Sequence, residues 1–379
     1  MLGRIDFGVL KGNETLNGQR ARVWKKLSGL ELFDYCVSNP PYQMETKTNS
    51  DSSTAVKNIF QEFQEAGFNI SSKTAMIYPG GRWFQQSGKG LKDFGKNLIN
   101  NENLKSVDLY DKNESKEFFP AAALTDGTSI VLLDKSFKNN GHITINGEKV
   151  SAPGDNILPM KVEYISLVDK IRKTNSKFIK DSVSSRTLFS IESNEVETNP
   201  SDFISVKNSP LPPPSMKNPI KVLTNNKSGK AGRPEWFWME KEKVKTGVDK
   251  IDRWKFTIKS AQFAHETTQL EKGVIVGSGE VHGRAKVTIA DFGTKDEVLN
   301  FEKYMKTDFS KKLYLQSVSG GLTNICSFVP DVGDYTSNNP LFADDNSLPI
   351  GHEYKNLSLE DRLFKKFNLS DEEISLIKE

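Results

Sequence analysis

Asn39, Pro40, Pro41 and Tyr42, which close the stretch FDYCVSNPPYQ, combine residue types that can hold and activate an amino group. Pro40 has no N–H and a fixed φ, and Pro41 restricts Pro40 to extended backbone, so the carbonyls of this turn point outward in a set direction. An amino group turned out of a nucleic-acid stack can give one hydrogen to the Asn39 side-chain oxygen and the other to the Pro40 carbonyl. Tyr42 can then stack on the attached ring. Both N–H bonds are polarised toward acceptors, and the nitrogen lone pair is aimed at an incoming methyl carbon. Such chemistry rests on positioning and electrostatics, with neither a metal nor a covalent intermediate.

A loop of this kind belongs at the carboxyl end of a strand in an open α/β sheet, where the chain turns out into the ligand crevice. Tyr35 to Ser38 reads as a buried strand. The polar loop ETKTNSDSST leads into a helix with Ala55, Val56, Ile59, Phe60, Phe63 and Ala66 on one face, ended by Gly67. KTAMIYP is a strand closed by Pro79, and GLKDFGKNLINN is helical in pattern. LKSVDLYD and TSIVLLDKS are two further strands. This alternation predicts a partial doubly wound α/β sheet, finished by a strand pair that folds back on itself.

The breakers SAPGDNILP and NSPLPPPSMKNP divide the chain into residues 1–150, a linker with one connecting helix over 151–219, and residues 220–379. PIKVL, WFWM, WKFTI, GVIVG and AKVTIA make the last part mostly β. Helical patterns follow at 296–309 and in the tail, where Ser358 and Ser370 stand at helix starts and Ser370 and Glu373 have capping-box spacing.

The 52 basic residues nearly balance the 49 acidic ones among 379, so any nucleic-acid surface must be a local patch. Cys36 and Cys326 stand alone, without a CxxC or Cys/His cluster, which excludes a disulfide framework and a structural zinc site. A reducing cytoplasm fits, and with no long apolar run or secretory leader pattern the expectation is a soluble, non-exported protein. His142, His265, His282 and His352 fall in no ligand spacing and read as surface or satisfied core residues. VIVGSGEVHG resembles a nucleotide loop, but RAKVTIADFG follows where a helix must open, so a β hairpin is expected.

SNPPYQ, NIFQEF, MIYPGGRWFQQSGKGLKDF and LYDKNESKEFFP, in this order, resemble the catalytic half of the adenine-specific, NPPY-class DNA methyltransferases of bacterial restriction-modification systems. RWKFTIKSA, FGTKDEVLNFEKYMKTDFSKKLYL, SFVPDVGDYT and RLFKKFNLSDEEISLIKE resemble that family's target-recognition region and closing helix. The resemblance covers most of residues 33–379. It implies a Rossmann-like methyltransferase sheet followed by a target-recognition domain, S-adenosylmethionine as methyl donor and the 6-amino group of adenine in double-stranded DNA as acceptor. Asn39, Pro40, Pro41 and Tyr42 stand where the family's catalytic motif does. Related enzymes use the same motif on ribosomal RNA or on the glutamine amide of release factors, and the long recognition region argues against the latter.

Further DNA contacts are expected from two places. Arg82, Trp83 and Lys89 follow a sheet strand on the same edge as Asn39. From Lys227 to Lys259 ten Lys or Arg face five Asp or Glu with tryptophans interleaved, so Lys227, Lys230 and Arg233 in NNKSGKAGRPEW are expected to follow phosphates or read a guanine edge. Trp236 and Trp238 read as β-domain core first and as DNA contacts second. The family's glycine-rich cofactor loop normally precedes the catalytic strand by two or three βα units of about 30 residues each. Before Phe33 only RIDFGVL, as one strand, and GQRARVWKKL, as one helix, suggest themselves. The expectation is a methyltransferase subunit or fragment that completes its cofactor site with a second methyltransferase chain or a restriction subunit, without a membrane. The alternative is a specificity protein that binds DNA but has lost transfer.

Overall fold

The computed structural model describes residues 33–46, 55–88, 90–120, 127–154, 156–260, 268–317, 322 and 324–379. It divides into two units, one of Met1–Gly80 with Lys96–Gly154 and one of Gly81–Gly95 with Asp155–Glu379. RIDFGVL, GQRARVWKKL, Lys89 and His265 lie outside the described residues.

Up to Gly154 the elements are β1 (Phe33–Ser38), β2 (Gln43–Thr46), β3 (Ala55–Asn58), α1 (Phe60–Ile70), β4 (Ser71–Pro79), α2 (Lys92–Ile99), β5 (Leu104–Tyr110), α3 (Lys112–Phe118), β6 (Thr128–Asp134), β7 (His142–Ile145) and β8 (Glu148–Ser151). Six strands form a mixed sheet in the order β1-β4-β6-β5-β7-β8. β1 and β4 are parallel, as are β5 and β7, while β6 runs antiparallel to both of its neighbours. The expected alternation is present, and its closing pair β5 and β6 does fold back. The sheet as a whole is mixed, because β6 enters between β4 and β5.

Three local expectations change. Ala55 and Val56 begin no helix: they pair with Thr46 and Glu45 in the β2–β3 hairpin, where a β-branched residue fits the pleat. Gly67 does not end α1, which continues to Ile70; a Cβ there would stand 2.7 Å from Met76 Cε and 3.0 Å from Cys36 Sγ, so its bare backbone lets the helix lie close on β1 and β4. Glycine inside a helix costs about 1 kcal/mol relative to alanine. Burial of Phe60, whose ring lies 4.9 Å from that of Tyr78, and of Ile70 offsets this at about 1.5–3 kcal/mol each. Finally, β1 is not buried. Its described partner is β4 alone, and Tyr35 and Val37 remain 66% and 77% exposed on the face opposite Cys36.

In the second unit, β9 (Ile204–Ser205), β10 (Pro219–Asn225), β11 (Pro234–Glu240), β12 (Trp254–Lys259), β13 (Val274–Val276), β14 (Glu280–His282) and β15 (Lys286–Phe292) form two sheets. Their orders are β14-β10-β11-β9 and β13-β12-β15. VIVGSGEVHG is therefore a crossover from one sheet to the other rather than a hairpin. The stretch expected as a linker is packed: α4 (Ile165–Thr174) buries Leu167, Val168 and Ile171 in one core with Phe256, Ile258, Val287 and Phe301. The helix expected over 296–309 is two, α5 (Lys295–Met305) and α6 (Asp308–Leu315), because the Thr307 hydroxyl accepts from Ser310 N and starts a new helix. In the tail, Ser358 caps α7 (Leu359–Lys366), and Ser370 with Glu373 forms the expected box on α8 (Asp371–Lys378). Among the described residues no helix is long and apolar enough to cross a membrane.

Candidate functional site

Strand directions bring the carboxyl ends of β1, β4 and β5 to one edge of the first unit's sheet, together with the start of β6. Ser38 pairs with Met76, and Pro79 and Tyr110 both pair with Thr128. Asn39 to Tyr42 leave β1 at this edge as an irregular turn, with Asn39 and Pro41 exposed, Pro40 buried and Tyr42 half-buried. The hairpin that follows holds the turn from behind: Ile59 N donates to Tyr42 O at 3.1 Å, and the side chains of Gln43 and Asn58 meet at 3.4 Å.

The Tyr42 hydroxyl donates to Asn39 Oδ1 at 2.9 Å. Burial raises the Tyr42 pKa above its ordinary 10.0, so the phenol keeps its proton and remains a donor throughout the neutral range. An amide oxygen has two lone pairs. One is taken by Tyr42, which fixes the orientation of the amide, and the other can accept an N–H from a ligand.

Two aromatic residues that the sequence reading left without a role stand at the same edge. Tyr110 at the end of β5 packs edge-on against Phe118, ring centroids 5.4 Å apart, and Phe118 is largely exposed. Three strand spacings separate β5 from β1, about 14 Å. The signal was the FF of LYDKNESKEFFP, a large apolar residue at the end of a polar helix. Asp111 beside them is committed to its own helix, accepting from Asn113 N at 2.6 Å and Glu114 N at 2.9 Å.

The glycines of this edge are also committed. Gly80 N donates to Gly127 O at 2.9 Å, and Gly127, at φ +75°, is pressed against Tyr110 O with no room for a Cβ. Gly80 and Gly127 are thus taken up by backbone pairing and close packing, which leaves neither as part of a cradle for S-adenosylmethionine.

Arg82 and Trp83 group with the second unit rather than with the sheet edge. Trp83 is 0% exposed and packs edge-on against Phe84 and Phe94 at 5.8 and 6.3 Å. It is a core residue, which corrects the DNA contact expected of it. Arg82 is half-buried in the same turn.

Lys227, Lys230 and Arg233 fall on the loop between β10 and β11, with Lys230 on a single 3-10 turn, Gly229–Ala231. The loop is cinched at its base, where Asn226 N donates to Arg233 O at 2.9 Å and Asn226 Oδ1 accepts from Arg233 N at 3.0 Å. Gly232 lies so close to Lys227 O that a Cβ could not fit. Ser228 N donates to Glu197 at 2.8 Å, and the hydrogen bonds from Ser228 hold that carboxyl below its usual pKa. Lys227 and Arg233 are exposed. Trp236 and Trp238 are half-buried; the Trp238 indole donates to Ser209 O at 3.0 Å, and Lys221 lies 5.3 Å from its ring. Of the histidines, His282 is buried core, Nε2 lying 2.8 Å from Thr288 Oγ1, while the His142 side chain is exposed.

Residues 10–118 match the family described as Eco57I restriction-modification methylase. A Mycoplasma pneumoniae protein described as an uncharacterized adenine-specific methylase is 27% identical over 150 residues, 39% of this chain and 33% of that protein. The matched part thus spans about a third of the length of the curated relative. Among solved structures, the type IIL restriction-modification enzyme MmeI in complex with DNA aligns with 91% of this chain and 54% of its own, at 12% identity and a TM-score of 0.37.

Proposed function

We propose that this chain carries the base-docking part of a site-specific DNA adenine methyltransferase of a restriction-modification system. The observation that carries the reading is the pinned Asn39 amide at the carboxyl end of β1, inside the segment that matches a restriction-modification methylase family. An adenine rotated out of the duplex would give one hydrogen of its 6-amino group to the free lone pair of Asn39 Oδ1 and the other to the Pro40 carbonyl. Tyr42 presents its ring to the base and its hydroxyl to Asn39. The amino nitrogen is then held with its lone pair clear for the methyl carbon. S-adenosylmethionine is the proposed donor, bound outside the described residues or by a second methyltransferase chain or restriction subunit.

Recognition falls to the second unit in this proposal. The cinched loop carrying Lys227, Lys230 and Arg233 supplies phosphate and base-edge contacts, with Arg82 a further candidate. Basic side chains on backbone phosphates set the affinity, and base-edge contacts set the sequence.

The test uses tritiated S-adenosylmethionine, genomic DNA from a methylation-free host, and this chain with the product of its neighbouring reading frame. Asn39→Ala should lower methyl transfer about 100-fold or more, the scale of one preorganised catalytic hydrogen bond. Duplex affinity should stay within about threefold, because phosphate contacts carry most of it. Wild-type turnover in Asn39→Ala would remove the catalytic assignment. Label recovered on RNA or protein instead of DNA would reassign the substrate.

A further inference from the structure

α1 begins where the β2–β3 hairpin returns to the Asn39–Tyr42 turn, and its first two turns carry Gln61 and Gln64. Residues three apart on a helix are neighbours, with Cβ atoms about 5–6 Å from each other. Gln64 is 3% exposed, and its Oε1 accepts from the Tyr78 hydroxyl on β4. Its Nε2 is buried and has no hydrogen-bond partner. Gln61 is the mirror case: its Nε2 donates to Asn58 O at 2.9 Å, while its Oε1 is buried without a partner. One amide therefore lacks an acceptor where its neighbour lacks a donor. A buried polar atom left unpaired loses its hydration with no return, and one water that accepts from Nε2 and donates to Oε1 removes both losses together.

What lies on either side of the two glutamines gives this link a use. Behind Gln64, Tyr78 is fully buried, its ring 4.9 Å from that of Phe60, and burial holds its hydroxyl well above the ordinary pKa of 10.0. The phenol stays a donor, which keeps Gln64 Oε1 turned toward it. In front of Gln61, the Asn58 side chain meets that of Gln43 at 3.4 Å, and the next residue, Ile59, donates its N–H to Tyr42 O at 3.1 Å. Tyr42 in turn pins Asn39. Hydrogen bonds and one peptide step thus run from Tyr78 in the core to Asn39 in the turn, with one break, between Gln64 Nε2 and Gln61 Oε1.

We propose that Gln61 and Gln64 are positioning residues for the Asn39–Tyr42 turn, joined by one buried water that closes this break. The turn is irregular, and Asn39 and Pro41 are exposed, so its own backbone does little to hold it. A tie from the core limits how far the Asn39 amide and the Pro40 carbonyl can drift. Acceptors that must meet a substrate in one geometry depend on such support, because a small misplacement is expensive in rate. The effect on methyl transfer rests on the function proposed above; the tie itself does not.

The experiment uses the whole chain with Gln61→Met, Gln64→Met and the two combined, since methionine keeps the side-chain length and removes the polar atoms. Hydrogen exchange of the Ile59 amide, read by mass spectrometry on overlapping fragments, reports the tie without any activity. It should quicken about tenfold in each single variant. The double variant should exchange no faster than either single, because each alone breaks the same link. In a crystal of the parent, a water is expected within hydrogen-bond reach of both Gln64 Nε2 and Gln61 Oε1. With the product of the neighbouring reading frame supplied, single-turnover methyl transfer at saturating duplex should fall about tenfold in each variant while duplex affinity holds. Parent-like exchange at Ile59 in both single variants, effects that multiply in the double variant, or a crystal without that water overturns the proposal. A purely structural part for Gln64 would lower the urea midpoint and leave Ile59 exchange as in the parent. A parent that transfers no methyl group to DNA sinks the proposed function, and exchange at Ile59 still decides the tie. Should Gln64→Met fail to fold, Gln61→Met, at a half-buried position, decides it.

Discussion

At the scale of single residues, a hydroxyl separates two roles of one side chain. Tyr42 carries a donor that pins Asn39 and, in the proposed site, a ring to stack on the base. Tyr42→Phe keeps the ring and frees the amide to rotate, so single-turnover methyl transfer is expected to slow about tenfold with unchanged duplex binding; Tyr42→Ala should lose more. Equal rates for Tyr42→Phe and the parent would leave the hydroxyl without a part in positioning. His282 gives a second expectation. Its folded pKa of about 4 lies below the ordinary 6.5, so the unfolded chain binds a proton more readily. The stability contributed is full above 6.5 and is lost as pH falls toward 4, on the order of 3 kcal/mol. Urea unfolding of the parent and of His282→Gln between pH 7.5 and 4.5 checks this, because the variant should lose stability less steeply. Asn39 to Tyr42 were legible in the sequence because a turn of two prolines is a local device. Trp83 was not. GGRWFQQSGKG has the composition of a loop, and it is packing against partners such as Phe84 and Phe94 that makes Trp83 core.

At the scale of elements, glycine has two readings that sequence alone does not separate. Gly67 reads as a helix end and Gly95 as a glycine within a helical pattern, yet both lie inside helices at close approaches. A Cβ on Gly95 would collide with the backbone carbonyl of Trp83, which a side-chain rotation cannot relieve. Helix propensity alone makes Gly95→Ala stabilising by about 1 kcal/mol. The close approach reverses the sign, and overpacking on this scale costs about 1–3 kcal/mol. A urea midpoint above that of the parent would contradict the contact. Elsewhere the local signals were sound: Ser370 and Glu373 cap α8 as their spacing implies, and most of the strands of both units fall where apolar, β-branched runs were read. The start of α1 was missed because Ala55, Val56 and Ile59 satisfy a helical period as well as a hairpin strand, and pairing with β2 decided between them.

At the scale of the molecule, the two units divide at Gly154, which lies within SAPGDNILP, and the division also passes through α2, between Gly95 and Lys96. No local pattern announces a segment of one unit inserted in the sequence of the other. Within the second unit, the inserted segment is held by Gln85 Nε2 donating to Leu158 O, by Asn324 Nδ2 donating to Gln85 O, and by Gly81 lying close on Met160. A fragment of residues 155–379 therefore leaves out Trp83 and Phe84, two fully buried side chains worth about 1.5–3 kcal/mol each. It is expected to unfold at lower urea than the second unit of the whole chain. DNA binding is then better measured on the whole chain, with Lys227→Glu and Arg233→Glu combined. Both side chains are exposed, so their reversal should leave the urea midpoint in place. If the loop holds two phosphates, the slope of log affinity against log salt should fall by about two, with affinity lowered alike on all sequences. An unchanged slope would return the loop to plain solvated surface, and a loss confined to one sequence would mark Arg233 as a reader of base edges rather than of the backbone.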